Sequence, residues 1–99
     1  MREKSQELAK IFKALSDVNR LKILSLVYKK GYKCGDKVCV KDFSSLLNIT
    51  LPTVSHHVKE LANAKLLTPK KQGRWVYCQI DKDTISELKR FLSSFISKT

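Results

Sequence analysis

Between Val40 and Ala64 the chain has room for two short helices and no more than a tight turn between them, and this restricts the fold more than any other feature. Val40, Phe43, Leu46 and Leu47 recur at helical spacing, and Asn48 tolerates the left-handed conformation in which a chain leaves a helix. Thr50 is an N-cap type, and Pro52 suits a first helical turn, where its missing N–H has no intrahelical partner to lose. The second helix then runs to about Ala64. At about 100° per residue, Val54, Val58 and Leu61 fall on one side and Pro52, Ser55, His56, Lys59 and Asn63 on the other. One face packs and the other stays free.

A short helix, a tight turn and a second helix with a polar outer face make the helix-turn-helix arrangement, whose second helix enters the major groove of DNA. The residue types on that face suit the task. Hydroxyls donate or accept, an imidazole does either, and an ammonium neutralises phosphate, so Thr50, Pro52, Thr53, Ser55, His56 and Lys59 are the candidate contacts. An ordinary solvated helix face has the same look, so the choice depends on what surrounds it.

Charge is the first of those surroundings. The 99 residues carry 20 Lys and Arg against 9 Asp and Glu, a formal charge of +11, which favours a polyanionic partner. Nucleic acid, an anionic membrane surface and an acidic protein all meet that condition. With 42% hydrophobic residues the chain holds enough apolar side chain for a core and is not a disordered polycation. Its length fits one small domain over 1–99, whose leftover apolar faces a second copy can cover. No apolar run reaches the ~18–20 residues of a membrane span, and Met1 to Lys10 is too polar for a secretory signal, so a cytoplasmic protein with no membrane partner is expected.

The remaining elements follow from periodicity. Leu8, Ile11, Phe12 and Leu15 form one stripe of a first helix over about 3–15. After the N-cap types Ser16 and Asp17, the residues Leu21, Ile23, Leu24, Val27 and Tyr28 mark a second helix that Gly31 can end. Gly31 to Val38 reads as a loop, closing in a short strand at Val38 to Val40. Two β-prone runs over about 66–80 flank Gln72-Gly73, a hairpin signal, with Val76, Cys78 and Ile80 facing inward and Pro69 limiting the first run to an edge. Asp81 or Asp83 caps a last helix over about 83–97, where Ile85, Leu88, Phe91, Leu92, Phe95 and Ile96 make a broad apolar band. The expected fold is mainly α with a small antiparallel β-hairpin, in the order α-α-α-α-β-β-α. Lys70, Lys71, Gln72 and Arg74 at the hairpin tip stand where a basic wing meets DNA, with Gln72 and Arg74 nearest a minor groove.

The segments FKALSDVNRLKILSLV, TVSHHVKELANAKLL and GRWVYCQID stand in the order and at nearly the spacing of the ArsR family, which the chain resembles over about nine tenths of its length. The middle segment of that family reads roughly T-V-S-x-H-L-x-x-L-x-x-A-G-L. Thr53, Val54, Ser55, His57, Leu61, Ala64 and Leu66 fit it, with Val58 in place of Leu and Lys65 in place of Gly. The resemblance implies a winged helix-turn-helix repressor, homodimeric through its first and last helices, that grips a palindromic operator and lets go when an effector binds. Leu8, Ile11, Phe12, Leu88, Leu92 and Phe95 are then the dimer-interface candidates, although packing within one protomer explains some of them equally well.

Members of that family sense soft metals or arsenite through a Cys-Val-Cys-Asp-Leu type of motif, and the matching stretch here is Cys39-Val40-Lys41-Asp42-Phe43. Lysine replaces the second thiolate, and Cys34 is a substitute from the preceding loop. Cys34 and Cys39 with a further ligand suit Zn(II), Cd(II) or As(III), or a switch through a disulfide or polysulfide; the inert alternative is a buried Cys39 and an idle Cys34. Cys78 belongs to the inward strand face. His56 and His57 are neighbours on a helix, do not face each other and cannot share a cation, so His57 is expected as a packed, hydrogen-bonded ring.

Two rival readings remain beside the sequence-specific regulator. A +11 domain binds any duplex by counterion release, which would make it an architectural protein, and a winged fold can also serve as a protein-interaction module. No nucleophile–base–orienter set, HExxH pattern or phosphate-cradling glycine loop is present, so an enzyme is not expected.

Overall fold

The computed structural model describes residues 2–31 and 40–96. Its order is α1 (Arg2–Ala14), α2 (Val18–Leu26), a π-helical turn (Val27–Gly31), α3 (Val40–Leu47), α4 (Leu51–Asn63), the strands β1 (Leu67–Gln72) and β2 (Trp75–Ile80), and α5 (Lys82–Ser93). The two strands form an antiparallel hairpin and the helices supply the rest, as in a winged helix-turn-helix.

Local chemistry fixes the helix starts. Asp17 accepts from the backbone N–H of Asn19 at 2.8 Å and of Arg20 at 3.1 Å, capping α2 within three residues of the end of α1. Thr50 caps α4, accepting from the N–H of Thr53. Of the two aspartates available to α5, Asp81 is the cap, accepting from the N–H of Thr84 at 3.1 Å.

The helix-turn-helix exits are equally determined. Asn48 sits at φ 57° after α3, and Lys65 at φ 62° after α4. Beyond Lys65 the N–H of Leu66 reaches the carbonyl of Leu61 at 2.9 Å and that of Lys65 reaches Ala62 at 2.9 Å, the paired bonds of a Schellman motif. Leu61 and Leu66 are both fully buried, which adds the hydrophobic contact that accompanies this motif. The N–H of Ile49 returns to the carbonyl of Ser44 in the same way at α3.

The core runs between these elements. Ile23, Val27, Phe43, Val54, Leu61, Leu66 and Cys78 are its fully buried members, so the inward face of β2 carries Cys78 as its spacing requires. β1 and β2 pair from Leu67 with Ile80 to Gln72 with Trp75.

Several expectations shift. The hairpin turn is Gly73-Arg74, one residue later than Gln72-Gly73, because Gln72 still pairs with Trp75 and Gly73 takes the positive φ of 60° in the first turn position. Val40 opens α3 and is not strand; Val38 and Cys39 lie outside the described residues. The second helix ends its α-helical geometry at Leu26, and the π turn keeps Val27 buried while Tyr28 faces outward, as does Leu21. α5 ends at Ser93 rather than near residue 97, where the Ser94 hydroxyl donates to the carbonyl of Phe91 at 2.6 Å and competes with the helix ladder. Leu8 and Ile11 are 9% and 3% exposed within the protomer, since α1 turns that edge of its stripe onto the core, and they have little surface left for a partner. Among the described residues no helix is long and apolar enough to cross a membrane.

Candidate nucleic-acid interface

α4 is held by its buried side, with Val54, His57, Val58 and Leu61 against the core. A fixed back face leaves the opposite ridge a fixed direction. Pro52, Thr53, Ser55, His56, Lys59 and Asn63 are all exposed along it, and Thr50 is exposed at its start.

Thr50 and Thr53 are linked, hydroxyl to hydroxyl, at 2.8 Å, while the Thr50 oxygen also accepts the capping N–H. One of the two hydroxyl protons is therefore committed and the other is left to donate outward. Ser55, His56 and Lys59 follow one and two turns on. Among the described residues no carboxylate stands within ion-pair distance of Lys59, Lys70 or Lys71, so their charge is not cancelled locally.

The hairpin places Lys70, Lys71, Gln72 and Arg74 on an exposed ribbon that packs against α4 through β1. Strand alternation separates the lysines. Lys71 lies on the face shared with Leu67 and Pro69, toward the helices, whereas Lys70 and Gln72 lie on the outer face. Ridge and ribbon thus present cations and hydrogen-bonding groups on two adjoining elements, the arrangement that positions on phosphates and reads base edges.

His57 is not part of that ridge. Its ring is 7% exposed; Nδ1 accepts from Nε of Arg20 at 3.2 Å, and Nε2 lies 3.9 Å from Oδ1 of Asp17. The packed, hydrogen-bonded ring was legible from helix position, but its partners were not, because Arg20 lies 37 residues away in the chain. The Asp17 carboxyl is held below its ordinary value, chiefly by the backbone N–H of Arg20.

On α1 and α5, Phe12, Leu92 and Phe95 are 39%, 49% and 70% exposed, and Leu88 is half-buried. Phe91 joins them, its ring centroid 6.0 Å from Phe12 and 5.1 Å edge-on from Phe95. Cys34 and Cys39 lie outside the described residues. Among the described residues no three His, Cys, Asp or Glu side chains come together as a metal-ligand group.

The profile of the bacterial regulatory protein, arsR family, matches residues 17–68, from the cap of α2 through the first residues of the hairpin. The chain is 32% identical over 87 residues to the cadmium resistance transcriptional regulatory protein CadC homolog of Staphylococcus aureus, covering 88% of this chain and 68% of that protein. It is 31% identical over 88 residues to the transcriptional repressor SdpR of Bacillus subtilis, covering 89% and 91%. In structure it is similar to an ArsR-like transcriptional regulator from Rhodococcus sp. RHA1, with TM-score 0.76 and 22% identity over 94% of this chain and 82% of that one. It is also similar to the homodimeric winged helix-turn-helix DNA-binding domain of a possible ArsR-family transcriptional regulator from Mycobacterium bovis, with TM-score 0.74 and 20% identity over 95% and 82%.

Proposed function

This chain belongs to the arsR family of bacterial regulatory proteins and is a DNA-binding transcriptional regulator, and from that premise we propose that it is a homodimeric repressor of a palindromic operator, released by an effector. The observation that carries the reading is the exposed ridge from Pro52 to Asn63, fixed by the buried side of α4 and adjoined by a basic hairpin. Ser55 and His56 address base edges; Lys59, Lys70, Lys71 and Arg74 neutralise phosphate, with Gln72 and Arg74 nearest the minor groove.

The dimer is supported by the apolar surface of α1 and α5. Phe12, Leu92 and Phe95 are too large and too exposed for a face meant for water. Two-fold symmetry would set the paired ridges about one DNA turn, ~34 Å, apart.

For the effector, relatives named for cadmium and arsenical resistance support a thiophilic cation held by Cys34 and Cys39. Thiolates are the donors such ions prefer, and the nearby Lys33, Lys37 and Lys41 favour the thiolate form. The role is regulatory rather than catalytic, and it is exercised in the cytoplasm, where DNA is reached and thiols stay reduced.

Selection of bound duplexes from a random pool tests the reading, repeated with reductant, oxidant, Zn(II), Cd(II) and arsenite. An imperfect palindrome preferred by at least ~10³ over random duplex at physiological salt is expected. Equal retention of all sequences would make the protein architectural instead.

A further inference from the structure

His57 follows His56 on α4 and stands two positions from Ser55 and Lys59, yet its ring is buried on the opposite side of the helix from theirs. Both of its nitrogens face the first turn of α2. Nδ1 accepts from Nε of Arg20, which leaves the proton of a neutral imidazole on Nε2, the nitrogen on the side of the Asp17 carboxylate. Arg20 is itself half-buried, and its Nη1 donates to the carbonyl of Ala14 at the end of α1.

Val54, Val58 and Leu61 hold α4 to the core through apolar contacts, which have no preferred direction. They set the depth of the helix more firmly than its rotation. A hydrogen bond does depend on direction, and the guanidinium is a rigid planar fork, so engaging a ring nitrogen on α4 and a carbonyl on α1 together permits little turning. Side-chain tips lie about 5–6 Å from a helix axis, so turning α4 by about 10° would carry Ser55 and His56 through about 1 Å. A hydrogen bond to a base edge, at about 2.9 Å, is lost over that distance. Attraction to a phosphate falls only as the reciprocal of distance and survives it.

We infer that Arg20 is a positioning residue for DNA reading: acting through His57, it fixes the rotation of α4 and so sets sequence preference rather than general affinity for duplex. The inference rests on the proposed reading of α4 as the element that addresses base edges. It gives a part in recognition to a side chain that bonds to the back of that helix and is none of the contacts named for DNA. Discrimination then depends on a pair of residues 37 positions apart in the chain.

Fluorescence anisotropy of the full chain on the duplex recovered by selection and on a random duplex, over a range of salt, tests this. Far-UV circular dichroism selects the temperature at which each variant is folded. Arg20→Met removes both donors and is expected to lower the operator-over-random ratio by at least about tenfold, as one mismatched base pair does. Its affinity for random duplex should stay within about threefold, with the slope of log K against log salt unchanged. His57→Leu should lower the ratio equally, and the double variant should be no worse than either alone, because both cut one connection. His57→Asn carries an acceptor near the place of Nδ1 and should keep most of the preference. Arg20→Lys, which keeps the charge without the fork, should show the same fall in ratio and carries the test if Arg20→Met does not fold.

An unchanged ratio in a folded Arg20 variant, or losses that add in the double variant, overturns the inference and leaves the ridge as the DNA surface. A salt slope reduced by about 1 in Arg20→Met would make Arg20 a phosphate contact and overturns it too. A wild-type chain that prefers no duplex removes the reading of α4 and the inference together.

Discussion

Arg20 donates from Nε to Nδ1 of His57 at 3.2 Å, tying the first turn of α2 to the middle of the helix that carries the exposed polar ridge. The same guanidinium donates from Nη1 to the carbonyl of Ala14 at 3.4 Å, so one side chain spans the end of α1, the start of α2 and α4. The aim of the ridge therefore depends on a side-chain network behind it. Adjacent histidines should then behave oppositely. His57→Ala leaves the Nε–H of the partly buried Arg20 without its acceptor and should cost about 1–3 kcal/mol in urea unfolding. His56→Ala, at an exposed site, should stay within about 0.5 kcal/mol and instead weaken operator binding. Matching unfolding midpoints for the two variants would dissolve the distinction.

Asp17 couples stability to acid. Its carboxyl titrates below the ordinary value because it accepts the capping N–H of Arg20, so its contribution is fully present above the unfolded-state pKa and is lost as pH falls through the lower folded-state value. Thermal midpoints should fall as the pH is taken below about 4. Asp17→Asn keeps a capping oxygen and removes the titration, so its curve should be flatter in that window. Parallel curves for wild type and variant would contradict this.

Lys65 occupies the left-handed position of the Schellman motif that ends α4, at φ 62°. A side chain with a Cβ is strained there, whereas glycine is not. Lys65→Gly is expected to stabilise the fold by about 0.5–1 kcal/mol, once the extra freedom it gives the unfolded chain is subtracted. Differential scanning calorimetry reads the sign directly, and a lowered midpoint is the adverse result.

Two residues of the same apolar end separate core from interface. Ile11 is buried in the protomer, so Ile11→Ala should lower unfolding stability by about 2–4 kcal/mol. Leu92 is half exposed, so Leu92→Lys should leave a folded chain that sediments as a monomer and loses operator affinity. A dimer surviving Leu92→Lys would move the interface away from α5.

Lys59 is assigned to phosphate, not to a base. Lys59→Ala should weaken all duplex sequences alike and reduce the slope of log K against log salt by about 1. Ser55→Ala should instead relax preference at one position of the site, at about 1–3 kcal/mol. A sequence-dependent loss in Lys59→Ala would exchange these roles.

What the sequence by itself determined was set by short-range chemistry. Hydrophobic periodicity separates Val54, Val58 and Leu61 from Ser55, His56 and Lys59 within a single helix. Asn48, Thr50 and Pro52 delimit the turn through conformational preferences that act over a few residues. Even the displaced hairpin turn erred by one position, because Gly73 accepts a positive φ at either of two places and strand pairing alone chooses between them. Tertiary structure decided what depends on which surfaces meet. The α1 stripe is continuous in sequence, yet packing divides it into a buried part, Leu8 and Ile11, and an exposed part, Phe12. Arg20 and His57, 37 residues apart, carry no mark of each other along the chain. Local preference is written residue by residue, whereas burial and pairing are properties of the neighbours that folding supplies.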